Sequence, residues 1–233
     1  MKFEQFVDLY REVPFVDSST FQVVTDKPEV LRRQVTEWQG KGYLHRLKRG
    51  IYLLDDRYRK TPVDPFFVAN QLTCPSYVSL ESALSFYDLI PEQTFAVTSV
   101  TPRGTRRFTN IMGTFIYRSI KPNLFFGYEP MMLKGQEFLI ASREKAVLDY
   151  LYLIPVQDEP NSDWVDATRL QNLDSLNSKK LKRTAPVFGN KVGRMIDVLF
   201  AAGDFKPLEN SISASSPPGA WFGSSSLKAY RQG

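Results

Sequence analysis

The spacing of apolar residues changes from helical to strand-like within the first sixty positions of the chain. Aromatic residues at helical spacing predict an amphipathic helix over residues 2–12, and Pro14 ends that pattern. The pattern after it is ambiguous and allows a short turn or helix around residues 17–21. The sequence thus predicts the first helix clearly and leaves the secondary structure of residues 17–21 open.

A further helix is predicted from Pro28 to Gly40, because cap residues precede it and a glycine-rich end follows. Leu31, Val35 and Trp38 share its apolar face. The opposite face is basic and polar, and it carries Arg32, Arg33 and Thr36.

A β-hairpin is predicted directly after this helix. Residues 43–47 and 51–54 have strand character and flank a basic turn that contains Gly50. Helix, short element, basic helix and basic hairpin follow one another within about sixty residues. This is the order of a winged helix-turn-helix domain, in which one helix enters the major groove and the wing contacts the phosphate backbone.

The polar, proline-containing run 55–64 is typical of a linker. We therefore place a winged helix-turn-helix domain at residues 1–58 and a second domain at residues 64–210. The Ser/Gly/Pro-rich segment 211–233 is predicted to be a flexible or docked tail.

Within the second domain, helices are predicted over residues 65–72 and 80–87, the latter with Ser79 as its N-cap, and from Ser142 to residue 153. Strands are predicted over residues 95–100, 114–117, 131–133 and 137–140, and further helices between residues 162 and 202. The predicted fold class is α+β: an N-terminal winged helix-turn-helix followed by a larger α/β domain with a mixed sheet flanked by helices.

Basic residues are concentrated in two blocks, although the net charge of the 233-residue chain is only +5. Residues 30–50 carry six basic side chains against one acidic, and residues 179–194 carry six with none. A rigid basic helix and wing suit contacts with phosphates and base edges. The candidate DNA-binding residues are Arg32, Arg33, Thr36, Lys41, Arg46, Lys48 and Arg49.

Four sequence fragments resemble the family of AbiEi-type antitoxins and transcriptional regulators, over roughly residues 1–155. They are GYLHRLKRGIYLL, YVSLESALSFYDLIPE, FAVTSVTPRGTRRF and IASREKAVLDYLYL. The resemblance implies an N-terminal winged helix that represses its own operon, and a C-terminal domain that neutralises a nucleotidyltransferase-type toxin of a phage-defence system. The implied partners are operator DNA, with inverted repeats, and the cognate toxin, captured directly or antagonised indirectly.

Two groups in the second domain are candidate contacts for a phosphate-rich ligand or an acidic partner. One is an arginine-rich segment predicted as a loop between two strands, and the other belongs to the second basic block. Their residues are Arg103, Arg106 and Arg107, and Lys179, Lys180, Lys182 and Arg183.

Catalytic chemistry has little support in the sequence. The single histidine, His45, is predicted to be a wing residue, and the single cysteine, Cys74, a small buried hydrophobe, so no catalytic residue, metal site or cofactor is predicted. Glu144 and Lys145 are predicted to be first-turn helix charges, although the family resemblance includes this helix start and Asp149.

Two alternatives stay open. One is a nuclease or nucleic-acid-modifying enzyme that uses carboxylates such as Asp197 and Asp204, and the other is a transcription factor that senses a ligand near Phe125, Phe126 and Tyr128. The sequence lacks a basic, apolar secretory start and a membrane-spanning stretch. We therefore expect a cytoplasmic protein with no membrane partner.

Overall fold

The computed structural model describes residues 1–13, 15–155 and 162–202. These residues form an α+β structure with two sheets, of three and six strands. The larger sheet is mixed and has helices on its faces, as predicted for the second domain.

The first fifty-four residues combine three helices with an antiparallel sheet. In chain order the elements are α1 (Phe3–Tyr10), β1 (Phe15–Asp17), a 3₁₀ turn (Ser18–Thr20), α2 (Phe21–Val24), α3 (Pro28–Gly40), β2 (Leu44–Lys48) and β3 (Ile51–Leu54). β3 lies between β1 and β2 in the sheet. The predicted first helix, basic helix and hairpin are confirmed, and the ambiguous segment resolves into β1, the 3₁₀ turn and α2.

The helix α3 forms where capping and amphipathic pattern agree. Pro28 begins the helix, and Leu31, Val35 and Trp38 are buried in one hydrophobic cluster. Within it, the Trp38 ring contacts Phe3 and Phe6 of α1. Its exposed face carries the predicted polar and basic residues. The two faces of α3 are therefore divided as the sequence predicts.

The three-stranded sheet is covered on both faces. Val16, Leu44 and Leu54 pack with the helices α1 to α3, whereas Ile51 and Leu53 belong to the core of the larger sheet. Successive strand residues point to opposite faces, so this small sheet is shared between two hydrophobic cores.

The rest of the described chain surrounds the six-stranded sheet, whose strand order is β6-β7-β5-β4-β9-β8. The strands are β4 (Tyr77–Val78), β5 (Ala96–Thr101), β6 (Arg106–Asn110), β7 (Gly113–Ser119), β8 (Tyr128–Leu133) and β9 (Gln136–Ala141). The helices are α4 (Pro65–Leu72), α5 (Leu80–Phe86), α6 (Arg143–Leu153), α7 (Ser162–Thr168), α8 (Ser178–Thr184) and α9 (Asn190–Ala202).

Hydrogen bonds show which helix covers which face of the large sheet. The Tyr117 hydroxyl of β7 donates to the Ala69 carbonyl of α4 at 2.6 Å. On the other face, Thr98 of β5 bonds to Ser82 of α5, and the Tyr77 hydroxyl of β4 donates to Asp149 of α6. Thus α4 lies on one face, and α5 and α6 lie on the other.

Residues 55–64 connect the first part of the chain, residues 1–54, to the second part, which is built on the six-stranded sheet. Several hydrogen bonds hold this connection in place. Asp55 bonds to His45 and Arg57, and the Gln136 side chain bonds to the backbone of residues 62 and 64. Asp64 then caps α4 by accepting from the backbone N–H of Phe66. In the parts of the chain that the structure describes, no helix combines the length and apolar character needed to cross a bilayer.

Candidate nucleic-acid interface

The exposed face of α3 presents two arginines and one hydroxyl. Arg32, Arg33 and Thr36 are all exposed, while buried residues hold the opposite side of the helix. Arg32 forms an ion pair with Glu29 one turn earlier, and the Thr36 hydroxyl donates to the Arg32 carbonyl. The Arg32–Glu29 pair is solvent-exposed and hence weak, so a phosphate can displace the carboxylate.

The hairpin of β2 and β3, called the wing below, continues this basic surface from the end of α3. Lys41 caps the helix and is exposed, and α3 packs against β2, which carries the exposed Arg46. Arg49 lies exposed at the hairpin turn, where Gly50 has a φ of +82°. The left-handed conformation at Gly50 explains why the turn requires glycine.

Lys48 differs from the other wing residues because its ammonium group is engaged. Its Nζ donates to the Leu72 carbonyl at the end of α4, at 2.7 Å. Burial lowers the pKa of Lys48; Asp17 partly offsets this effect, and Arg106 and Arg103 lower the pKa further. Lys48 therefore ties the wing to the second part of the chain and lies near its arginines.

His45 is also part of the wing. Its Nε2 lies 2.7 Å from Asp55 Oδ2, and Arg57 donates to the other carboxylate oxygen, Oδ1. Burial by itself raises the pKa of Asp55, but the bonds from Arg57 and His45 outweigh it and lower that pKa to about 2. The carboxylate is thus held charged, and it links the end of β3 to the middle of β2.

The predicted loop placement of Arg106 and Arg107 is wrong. Both residues lie on β6, an edge strand that pairs with β7, while Arg103 lies in the bend between β5 and β6. Arg106 is opposite Tyr117 and so points to the α4 face, whereas Arg107 is opposite Ile116 and points to the other. The structure therefore brings Arg103 and Arg106 to the wing and separates Arg107 from them.

The second basic block lies elsewhere. Lys179, Lys180, Lys182 and Arg183 are exposed on α8, which packs on α6, on the sheet face opposite to α4. Lys180 bonds to Glu144, and the ammonium of Lys182 lies 5.4 Å from the ring centre of Phe200. This block does not join the wing surface.

Glu144 and Lys145 lie in the first turn of α6, as predicted, and both are buried. Lys145 pairs with Asp149, and its Nζ donates to the Tyr77 hydroxyl at 2.8 Å. The Ser79 hydroxyl donates to Asp149 at 2.9 Å. Burial raises the pKa of Asp149 and of Tyr77 and lowers that of Lys145.

This buried group of polar side chains lies among aromatic rings. The ring centres of Tyr77 and Phe188 lie 5.3 and 4.9 Å from Lys145 Nζ. Tyr128 stacks on Tyr77, and Phe125 packs against Tyr77 with its ring tilted. Of the residues considered as a ligand-sensing region, Phe125 and Tyr128 are partly buried against the core, whereas Phe126 is exposed. The structure also corrects Cys74, which is exposed rather than buried.

The carboxylates proposed for a nuclease are not gathered in the described residues. Asp197 is exposed on α9, and Asp204 lies outside the described residues. Within residues 1–13, 15–155 and 162–202, no three histidine, cysteine or carboxylate side chains are placed to hold a metal ion.

Sequence reasoning missed the contact between the wing and the large sheet. The Asn110 side-chain amide of β6 donates to the Leu47 carbonyl of β2 at 3.2 Å. The strand β6 itself could have been predicted from neighbouring residues, since Asn110 and Gly113 flank a two-residue turn into β7. No sequence pattern predicts the contact of β6 with a segment more than fifty residues earlier.

The scan against protein-family models gives no match, and the search of curated proteins gives none either. The proposed interface and the family resemblance therefore rest only on the residues of this chain.

Proposed function

We propose that the protein is a DNA-binding transcriptional repressor and antitoxin of the AbiEi type, with an N-terminal winged helix that binds its own operator. The observation that carries the proposal is the order helix, strand, two helices and hairpin, with a basic exposed face on the last helix. In winged helices this helix enters the major groove, and the hairpin lies along the phosphate backbone.

The contacts divide into two kinds. Arg32, Arg33 and Thr36 face base edges and the phosphates that line the groove, because they project from a rigid helix whose other side is buried. Lys41, Arg46 and Arg49 contact phosphates, which position the protein without reading sequence. Inverted repeats in the operator would be occupied by two copies of the chain.

The second part of the chain carries the antitoxin activity in this proposal. Its exposed cations on α8, Lys179, Lys182 and Arg183, lie on the sheet face opposite to α4 and offer a separate surface to an acidic toxin. Substitution of all three with alanine tests this role in cells that express the neighbouring toxin gene. Loss of protection with unchanged repression is the expected result.

A gel-shift titration against the chain's own upstream DNA tests the DNA-binding proposal. The native protein should bind selectively, and its affinity should fall steeply with salt because phosphate contacts release counterions. Arg32→Ala/Arg33→Ala should abolish selective binding. Lys121→Ala/Lys134→Ala removes the same charge from exposed positions of the second part and should leave binding nearly unchanged.

Each outcome has a distinct meaning. Equal binding to unrelated DNA, or equal loss in both double variants, would contradict operator recognition by α3. Asp197→Ala should have no effect on binding or protection, and a strong effect would favour the nuclease hypothesis instead.

A further inference from the structure

The base of the wing is fixed to the edge of the large sheet. β2 lies against β6, where the Asn110 amide bonds to the Leu47 carbonyl, and Lys48 bonds to Leu72 at the end of α4. These two hydrogen bonds hold the wing on the α4 face of the sheet.

Arg103 and Arg106 are exposed at this junction. Arg106 points to the α4 face from β6, and Arg103 follows β5 with its backbone N–H bonded to the Thr101 hydroxyl at 3.2 Å. That hydroxyl donates to the Pro75 carbonyl at 2.8 Å, which places Arg103 beside the turn that follows α4. Arg103 and Arg106 are close enough to Lys48 for both to act on it electrostatically.

Three positive charges held together by the fold repel one another. Arg106 and Arg103 both act on Lys48 electrostatically, and Asp17, whose individual effect on Lys48 is larger, opposes them. Arg103 and Arg106 are exposed, so a polyanion that approaches this face can pair with both. Guanidinium groups suit phosphate in particular because their planar donors can bind two oxygens at once.

We infer that Arg103 and Arg106 form, with Lys48, a second phosphate-binding surface, so that duplex DNA held by α3 and the wing continues across the edge of the large sheet. This inference rests on the proposed function, since it extends the same DNA footprint. Duplex DNA is favoured over an acidic protein because the cluster is continuous with the wing, whose exposed cations already contact the phosphate backbone in that proposal.

Arg107 provides a matched control. It has the same side chain one residue away and is also exposed, but it points to the opposite face of the sheet. The substitution Arg107→Ala changes the net charge and the sequence of the edge strand in the same way as Arg106→Ala. It leaves every guanidinium group at the junction in place.

The test is fluorescence anisotropy of the full chain with its labelled upstream DNA over a series of salt concentrations. Arg103→Ala/Arg106→Ala should weaken binding roughly tenfold and lower the slope of log affinity against log salt by about two. Arg107→Ala should change neither quantity appreciably. Equal effects of the two variants, or no effect of the double variant, would overturn the inference.

Failure of the inference is distinguishable from failure of the proposed function. If native protein binds no DNA selectively, or Arg32→Ala/Arg33→Ala binds normally, the proposed function fails. If both behave as expected while Arg103→Ala/Arg106→Ala binds like native protein, only the second surface fails. A variant that binds DNA normally but no longer protects against the toxin would assign the two arginines to an acidic protein instead.

Cys74 supplies an independent readout, because it is the chain's one cysteine, is exposed and lies two residues after Leu72, whose carbonyl accepts from Lys48. Saturating upstream DNA should slow alkylation of native Cys74 by N-ethylmaleimide several-fold. Unrelated DNA at the same concentration should protect less. An alkylation rate that does not respond to upstream DNA would contradict a duplex crossing this face.

Discussion

Lys145 and Asp149 show how strongly the stability of the second part's core depends on single residues. Both are almost fully buried, and each also bonds to the hydroxyl of Tyr77, while Ser79 completes the carboxylate's bonding. A buried ion pair adds little net stability over apolar residues of similar size, but breaking it leaves one charge without compensation. The pair therefore makes the core intolerant of single substitutions.

Lys145→Met should lower the free energy of unfolding by about 3–5 kcal/mol, measured by urea denaturation, because Asp149 is left buried without its cation. Lys145→Met/Asp149→Asn should be more stable than the single variant. A cost below about 1 kcal/mol for Lys145→Met would contradict the buried pair.

Gly50 is the residue on which the wing turn depends. A Cβ at this position would meet the Ser18 hydroxyl at 3.0 Å, and φ is +82°. Gly50→Ala should therefore destabilise the protein by about 1–2 kcal/mol. Gly40→Ala is the control, because it lies in α3 with open space around it and should stabilise by about 0.5–1 kcal/mol. Thermal unfolding of the two variants should thus shift in opposite directions.

Sequence reasoning succeeded where a residue's role is set by its neighbours in the chain. The apolar face of α3, the glycine of the wing and the Ser142 cap of α6 all follow from local spacing and capping. It failed where the partner is distant: Ser79 stands at the N-cap of α5, yet its hydroxyl bonds to Asp149, seventy residues later. Burial of Lys145 depends on the same long-range partners.

At the scale of elements, a carboxylate joins two helices. Glu144 of α6 accepts from the Asn177 backbone N–H just before α8 at 3.1 Å and from Lys180 Nζ at 2.8 Å. Burial alone raises the pKa of Glu144, but these hydrogen bonds outweigh it and the pKa is lowered. The charged carboxylate thus holds α8 against α6.

Glu144→Ala should loosen α8 and cost about 1–3 kcal/mol, with faster amide exchange in α8 than in β5. A lowered pKa contributes stability above the ordinary pKa of glutamate, and this contribution is lost as pH falls through the folded-state value. The difference between native protein and Glu144→Ala should therefore shrink on acidification. Glu137→Ala, at an exposed position of β9, should show neither effect.

At the scale of the whole molecule, the three-stranded sheet makes the two parts of the chain interdependent. One of its faces packs on α1 to α3, and the other contributes Leu47, Ile51 and Leu53 to the core of the large sheet. Unfolding either part exposes apolar surface of the other. The described residues should therefore unfold in one cooperative transition. The concentration of basic residues at 30–50 suggests instead a separate binding domain.

Trp38 tests this expectation because it lies in the N-terminal core. With Trp164→Phe and Trp221→Phe introduced, its fluorescence should report the same urea midpoint as far-ultraviolet circular dichroism. An earlier fluorescence transition would show that the N-terminal part opens alone.

The anchored wing also has an energetic consequence for regulation. Since its base is bonded to α4 and lies against β6, a partner that displaces either element also displaces the wing. Under the proposed function, the operator and any partner that displaces α4 or β6 would then alter each other's affinity by one and the same factor, as thermodynamic reciprocity requires. The occupancy of the promoter would in this way respond to such a partner through two hydrogen bonds at a strand edge.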